Sequence, residues 1–255
     1  MSGKNKRKCK IISQDKIASD VFSMWIQTQG MGVMAAPGQF VSLFSSQGNK
    51  LLPRPISICE IDSKEDKLRL VYRVMGSGTK EFSKMKAGES IDVMGPLGNG
   101  FPLKDKKAIL IGGGVGIPPM LELAKQLTSE KSIVVGYRTE LFLTEDLKQN
   151  GTVYIATEDG SCGIKGNVID AIRAAGIDGE VIYACGPTPM LRAIKSYAVE
   201  KNIECYLSLE EHMACGVGAC LACVCESKEV DSHTNVNNKR VCKDGPVFEA
   251  SEVEI

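Results

Sequence analysis

Residues 108–119 read Ala-Ile-Leu-Ile-Gly-Gly-Gly-Val-Gly-Ile-Pro-Pro, and their reading decides the fold. The four apolar residues make a strand. Gly112, Gly113, Gly114 and Gly116 then let the chain turn sharply and let a phosphate approach the backbone at a helix N-terminus. A bare glycine pattern is weak evidence; the strand before it and the helical stretch near Pro119–Leu127 after it strengthen the reading. The alternative is a tight strand–helix turn that holds no ligand. Downstream the rhythm repeats. Strands at Ser132–Tyr137, Thr152–Ala156, Glu180–Ala184 and Ile203–Ser208 alternate with helices near Thr144–Lys148, Asn167–Ala175 and Thr188–Glu200. Such alternation implies an α/β doubly wound parallel sheet. A second turn, Cys185-Gly186-Pro187, follows its own strand, so two glycine-bearing turns at strand C-termini are expected to line one crevice.

Upstream, residues 8–95 read as short strands broken by turns: Lys8–Ser13, Phe22–Thr28, Phe40–Phe44, Ile56–Ile61, Lys67–Val74 and Ser90–Met94. Leu68, Leu70, Tyr72 and Val74 alternate with Arg69, Val71 and Arg73. Short strands at this spacing predict an antiparallel β-barrel. GPLGNGFP at 95–102 is turn chemistry and reads as a linker. Within the barrel, Arg54-Pro55-Ile56-Ser57, Tyr72-Arg73 and Gly76-Ser77-Gly78-Thr79 form a weaker signal. Arginine pairs with a pyrophosphate, and Gly78-Thr79 offers backbone and hydroxyl donors. Taken alone, Arg54 and Arg73 read as surface residues rather than as ligand contacts, since arginine is mostly exposed.

The tail carries the strongest motif. Of the chain's 10 cysteines, Cys9, Cys59, Cys162, Cys185 and Cys205 are scattered, whereas Cys215, Cys220, Cys223, Cys225 and Cys242 crowd together. Cys215-x4-Cys220-x2-Cys223 followed by Cys242 is the spacing of plant-type [2Fe–2S] ferredoxins. A tight loop presents three sulfurs and a separate segment supplies the fourth. Gly216, Gly218, Ala219 and Ala222 let backbone N–H groups approach the sulfurs. The rival is a four-cysteine zinc site, which usually takes two close pairs. Using Cys225 in place of Cys223 would break the spacing, so it is left out. A tail of this size can hardly bury a core alone, and a metal staple is expected. The expected division is 1–100, 101–208 and 209–255.

Composition narrows the classes. The 255 residues hold 31 basic and 31 acidic side chains, and this balance argues against a general nucleic-acid binder. The uncharged stretch Val21–Asn49 is broken by polar residues, glycines and Pro37, and Ala108–Leu121 is short and glycine-rich; neither reads as a membrane span. The basic N-terminus, Met1–Lys10, is followed by no apolar segment and reads as a solvated flank rather than a signal. A reducing, cytoplasmic setting follows, in which clustered cysteines mean metal or redox chemistry rather than disulfides. His212 and His233, the only histidines, have no evident partner and read as non-catalytic. Cys185 lacks an obvious base and reads as a small packing residue. Glu210-Glu211 reads as a surface pair.

Arg54-Pro55-Ile56-Ser57, GSGT at 76–79, GPLGNG at 95–100, GGGVGIPP at 112–119 and CGPTPM at 185–190, in that order, resemble the ferredoxin–NADP reductase superfamily. The tail, from Glu210-Glu211-His212-Met213-Ala214-Cys215 through Cys225 and on to Arg240-Val241-Cys242, is similar to that of one family within it, the electron-transfer subunits of dihydroorotate dehydrogenase B. The resemblance runs from about residue 8 to 250. It implies FAD on the barrel, at Arg54, Pro55, Ile56, Ser57, Val71, Tyr72, Arg73, Gly78 and Thr79. It implies NAD at Gly112, Gly113, Gly114, Gly116, Cys185, Gly186 and Pro187, and a [2Fe–2S] cluster on Cys215, Cys220, Cys223 and Cys242. His212 departs from the arginine usual in that family, and the polar DSHTNVNN stretch before Cys242 reads as a surface loop.

The implied function is electron transfer in pyrimidine (UMP) biosynthesis. NAD exchanges hydride, a [2Fe–2S] cluster passes single electrons, and flavin does both, so FAD belongs between them. The resemblance implies a separate FMN-containing dihydroorotate dehydrogenase subunit as partner, in a heterotetramer. No pyrimidine site is identifiable in this chain, which accords with that division. Hydride transfer needs no acid–base side chain, so no residue is named as catalytic. The alternatives are an NAD(P)H-linked flavin/iron–sulfur subunit of a hydrogenase or transhydrogenase, and a non-enzymatic redox sensor. The choice of NAD over NADP rests on the resemblance; Arg138 is the candidate for a 2′-phosphate.

Overall fold

Alternation along Lys67–Arg73 separates the inside of the first domain from its outside. Leu68, Leu70 and Tyr72 point into an apolar interior, while Val71 on the other face is buried against the second domain. The computed structural model describes residues 5–46, 51–230 and 235–255. The first domain comprises β1 (Lys6–Lys16), β2 (Val21–Gln27), α1 (Met31–Met34), β3 (Phe40–Phe44), β4 (Arg54–Asp62), β5 (Lys67–Arg73), α2 (Ser77–Phe82) and β6 (Ser90–Leu97). The six strands close an antiparallel barrel in the order β1-β2-β5-β4-β3-β6. Cys9, Ile11, Met24, Ile26, Leu43 and Ile58 fill it together with Leu68, Leu70 and Tyr72.

The basic run near the N-terminus is not a flank. Lys6–Lys10 pair with Ser90–Met94 of β6, and Cys9 and Ile11 are fully buried while Lys8 and Lys10 face water. The charges mark the solvent side of an edge-to-edge ladder, the period-2 pattern of a half-buried strand.

The second domain begins at β7 (Ala108–Gly113) and continues through α3 (Pro118–Gln126), β8 (Lys131–Tyr137), α4 (Thr144–Lys148), β9 (Thr152–Thr157), β10 (Ile164–Lys165), α5 (Val168–Ala175), β11 (Val181–Cys185), α6 (Thr188–Lys201) and β12 (Glu204–Ser208). The tail adds β13 (Val224–Ser227), β14 (Asn238–Arg240), β15 (Val247–Glu249) and β16 (Val253–Glu254). The main sheet has the order β10-β9-β8-β7-β11-β12-β15, parallel throughout except for β15. β7 is buried on both faces, Ile109 and Ile111 on one and Ala108 and Leu110 on the other, as a central parallel strand must be. Local signals set the helices: α5 is capped by Asn167, whose Oδ1 accepts from the N–H groups of Ile169 and Asp170, and it ends at Gly176 in the left-handed region.

The tail does not build a core of its own. Phe248, Val241, Val253, Cys223 and Cys242 share one apolar cluster with Ile109, Ile182 and Leu207 of the sheet and with Phe40 and Leu97 of the barrel. β15 pairs with β12 through Tyr206↔Glu249, Leu207↔Phe248 and Ser208↔Val247. The 95–102 turn segment is sewn to the tail as well. The Asn99 N–H donates to the Gly245 carbonyl, and its side-chain amide donates to the Lys243 and Asp244 carbonyls. Among the described residues no helix is long and apolar enough to cross a membrane. Of the DSHTNVNN stretch, 231–234, His233 included, lie outside the described residues; 235–237 are exposed and Asn238 opens β14.

Candidate functional site

The barrel has a slot. β4 pairs with β3 along Arg54–Ser57, but its ladder with β5 begins only at Ile58↔Leu70. Arg54–Ser57 and Val71–Arg73 therefore splay apart, and two strand edges face each other without pairing. The turn Gly76–Thr79 closes one end. There the Arg54 guanidinium lies over Gly78, so close that a methyl group on residue 78 would stand 2.5 Å from Arg54 Nε. The Thr79 hydroxyl is engaged within the turn, accepting from the Met75 and Gly76 N–H groups. The Tyr72 ring points into the barrel, stacked on Phe22 and edge-on to Phe82, with its hydroxyl accepting from Gln14; only the Tyr72 backbone borders the slot. Burial pushes that phenol up to about 12. A cationic fork over the bare backbone of Gly78 suits a diphosphate.

The crevice lies where the sheet order reverses. β7 runs outward to β8 and β9 on one side and to β11 and β12 on the other, so the β7/β11 boundary is the topological switch point, where open α/β sheets take their ligands. Both glycine turns emerge there and interlock. A methyl on Gly116 would stand 2.2 Å from the Cys185 carbonyl oxygen, and one on Gly113 2.5 Å from Met190 Sδ. Gly114 is in the left-handed region at φ 54°. Gly112, Gly113, Gly114, Gly116, Cys185, Gly186 and Pro187 are thus brought together. Burial raises the Cys185 thiol to about 12, in keeping with a packing role. Arg138 is exposed just past the C-terminal end of β8.

The four tail cysteines stand as two pairs. Cys215 Sγ and Cys220 Sγ are 3.3 Å apart, and the Cys242 N–H points at Cys223 Sγ at 3.5 Å. Among the described residues no three His, Cys, Asp or Glu side chains converge as a mononuclear site requires. Two thiol pairs match a cluster of two irons, each holding two cysteines. The loop also aims backbone N–H groups at the sulfurs: Val217 and Cys220 at Cys215, and Gly218 at Cys242. Burial opposes ionisation of Cys215, but these donors outweigh it and bring the thiol down to about 6; burial and the neighbouring Cys223 hold Cys242 up at about 12. Gly216 and Gly218 both have positive φ, which lets the loop wrap the site. Buried Arg240, paired with Asp244, donates to the Gly218 carbonyl and fixes the loop from behind. Cys225 is directed away, its thiol donating to the Lys239 carbonyl and raised by burial to about 11. His212, Glu210 and Glu211 are exposed.

Slot, crevice and loop adjoin one another. Gly216 of the cysteine loop rests on Ser42 of β3 and on Leu97 and Met94 of β6, and Ser42 is the cross-strand neighbour of Pro55. On the other side, Arg73 reaches to within 3.9 Å of the methyl position on Gly114. Nothing in the sequence gives Ser42, Arg240 or Asn99 these roles, because each acts through a contact distant in the chain.

Residues 210–254 match the family model for the iron–sulfur cluster binding domain of dihydroorotate dehydrogenase B, and residues 8–101 match the oxidoreductase FAD-binding domain. The chain is 45% identical over 253 residues to the dihydroorotate dehydrogenase B (NAD(+)) electron transfer subunit of Geobacillus sp. (strain WCH70), covering 95% of this chain and 96% of that one. It is 42% identical over 250 residues to the protein of the same name from Caldanaerobacter subterraneus, covering 97% and 98%. Among solved structures, an NADH-dependent reduced ferredoxin–NADP oxidoreductase of flavin-based electron bifurcation superposes with a TM-score of 0.87 at 31% identity, over 100% of this chain and 91% of that one. The FAD/NAD-binding domain of a Vibrio cholerae nitric oxide dioxygenase shares the fold, with a TM-score of 0.65 at 17% identity over 80% and 95%.

Proposed function

The chain belongs to the family of dihydroorotate dehydrogenase B (NAD(+)) electron transfer subunits, and from that premise we propose how its residues carry electrons between a dihydroorotate-oxidising partner and NAD. One observation supports the reading above others: the cysteine loop, the barrel slot and the switch-point crevice lie side by side, in the order that single-electron carrier, flavin and nicotinamide require. FAD supplies the exchange between hydride and single electrons, and the [2Fe–2S] cluster supplies the single-electron step.

The chain's own residues bind and orient. Arg54 and the Gly76–Thr79 turn hold the FAD diphosphate, and the open backbone edges of Arg54–Ser57 and Val71–Arg73 receive the rest of the cofactor. The glycine turns at 112–116 and 185–187 bring the nicotinamide nucleotide against that slot. Cys215, Cys220, Cys223 and Cys242 hold the cluster, with N–H groups of the loop directed at its sulfurs. No side chain exchanges a proton with substrate here. Leu221, half-exposed between two ligands, supports a partner surface at the loop. The partner is an FMN-containing catalytic subunit, in a heterotetramer of two copies of each. None of the ten cysteines is joined in a disulfide, which accords with a reducing cytoplasm.

The 31% identity to the bifurcating oxidoreductase favours, as a second reading, a subunit serving another NAD(P)H-linked complex. Co-expression with the flavoprotein dehydrogenase of the same cell separates the readings. The expected result is a stable complex that reduces NAD+ with dihydroorotate, while this chain alone oxidises NADH with an artificial acceptor and leaves dihydroorotate untouched. Dihydroorotate oxidation by the chain alone, or no diaphorase activity, would overturn the proposal. The mass of the complex tests the stoichiometry.

A further inference from the structure

Ser42 is 1% exposed, yet its hydroxyl has no hydrogen-bond partner among the described residues. A buried hydroxyl without a partner is costly and needs an explanation. On β3 the flanking Val41 and Leu43 face the barrel interior, so Ser42 faces outward. Its outward neighbours are Pro55 across one ladder and Met94 across the other. The β3–β6 ladder is irregular here: Phe40 pairs with Leu97 and Ser42 with Met94, so β6 has one residue more than β3. Bulges of this kind re-aim side chains and open room at a strand surface. The room is taken by the cysteine loop. The nearest atom to a methyl built on Gly216 is Ser42 Oγ, at 3.1 Å. Gly216 directly follows Cys215, so the orphaned hydroxyl lies against the loop that presents the first sulfur pair.

Resting on the cluster reading above, we propose that the Ser42 hydroxyl donates a hydrogen bond to the sulfur side of the cluster and is a positioning residue that sets its reduction potential. The barrel would then supply one donor to a set otherwise drawn from loop backbone. Donors to cluster sulfurs stabilise the more negative, reduced form, so their removal lowers the potential.

The test uses the complete complex and the isosteric pair Ser42→Thr and Ser42→Val, which differ at the same shape by a hydroxyl, together with Ser42→Ala. Iron, sulfide and FAD contents are measured first. Cluster and flavin potentials are then titrated separately, the cluster by EPR. The expected result is full cofactor content throughout, with Ser42→Ala and Ser42→Val both making the cluster several-fold harder to reduce and shifting its EPR g-values, where tenfold corresponds to 59 mV for one electron. Ser42→Thr stays near wild type, and the flavin potential does not move. An unchanged cluster potential in both Ser42→Ala and Ser42→Val overturns the proposal, as does a shift confined to the flavin. Wild-type complex without iron and sulfide would instead overturn the underlying cluster reading, and this inference with it.

Discussion

Gly116 and Gly78 both meet close neighbours, but of different kinds. A methyl on Gly116 would collide with backbone, the carbonyl of Cys185, which is itself fixed at the end of a central strand. Gly116→Ala is therefore expected to cost about 3 kcal/mol, the upper range for overpacking, and to raise the KM for NADH; thermal denaturation and steady-state kinetics check the two effects. The nearest atoms to a methyl on Gly78 are those at the end of the long Arg54 side chain, which can swing away. Gly78→Ala is expected to melt near wild type but to emerge with little flavin, read from visible absorbance per mole of protein. The cysteines divide in the same way. Cys223→Ser is expected to abolish iron and sulfide binding, whereas Cys225→Ser, whose thiol is bonded to the Lys239 carbonyl, retains both. At this scale the convergence of the tail cysteines and the glycine turns were legible, because particular residues recur at particular intervals. Ser42 was not legible: one serine in a strand pattern acquires meaning only when Gly216 arrives from far along the chain.

Elements long enough to show a period could be read in advance, and those too short could not. The six barrel strands and the five parallel strands from β7 to β12, β10 apart, each carry five or more residues, and their patterns sufficed. β10 and β16 have two residues each, and β14 and β15 three; no period fits into such lengths. The tail's order comes instead from pairing with distant partners. β12 shows a different kind of anchoring. Its first residue, Glu204, accepts from Lys106 Nζ at 2.6 Å, from the Tyr206 hydroxyl at 2.6 Å and from Lys104 Nζ at 3.0 Å, tying the sheet to the segment that leaves the barrel. These partners lower its carboxyl to about 2. A lowered carboxyl stabilises the fold above its unfolded pKa and loses that contribution as pH falls. Glu204→Gln is accordingly expected to cost about 1 kcal/mol at neutral pH, and the gap from wild type to close between about pH 4.5 and 2, in denaturant titrations across that range.

The whole molecule is held together by more than its linker. Arg69 of the barrel bridges Glu60 on its own domain and Asp146 of α4, Lys125 of α3 reaches Glu60, and the Ile61 N–H donates to the buried carboxylate of Glu122 on α3. Burial raises the Glu122 carboxyl above its ordinary value. Arg69→Ala leaves Glu60 enclosed without its main partner, and a loss of about 3 kcal/mol is expected, with faster proteolysis at the domain junction as the second readout. The crevice between barrel and sheet depends on this clamp, and the sequence hid it, since each charge separately looks like a surface residue.

β15 carries one further consequence. It is the antiparallel strand that finishes the sheet, and without it the outer edge of β12 would offer unpaired N–H and C=O groups, a template for joining to other chains. The tail is thus a guard against polymerisation as well as a redox module. A chain whose tail is stripped of iron and loosened is expected to self-associate, visible as rising light scattering after chelation, so loss of the cluster would remove the protein from solution as well as from the electron path.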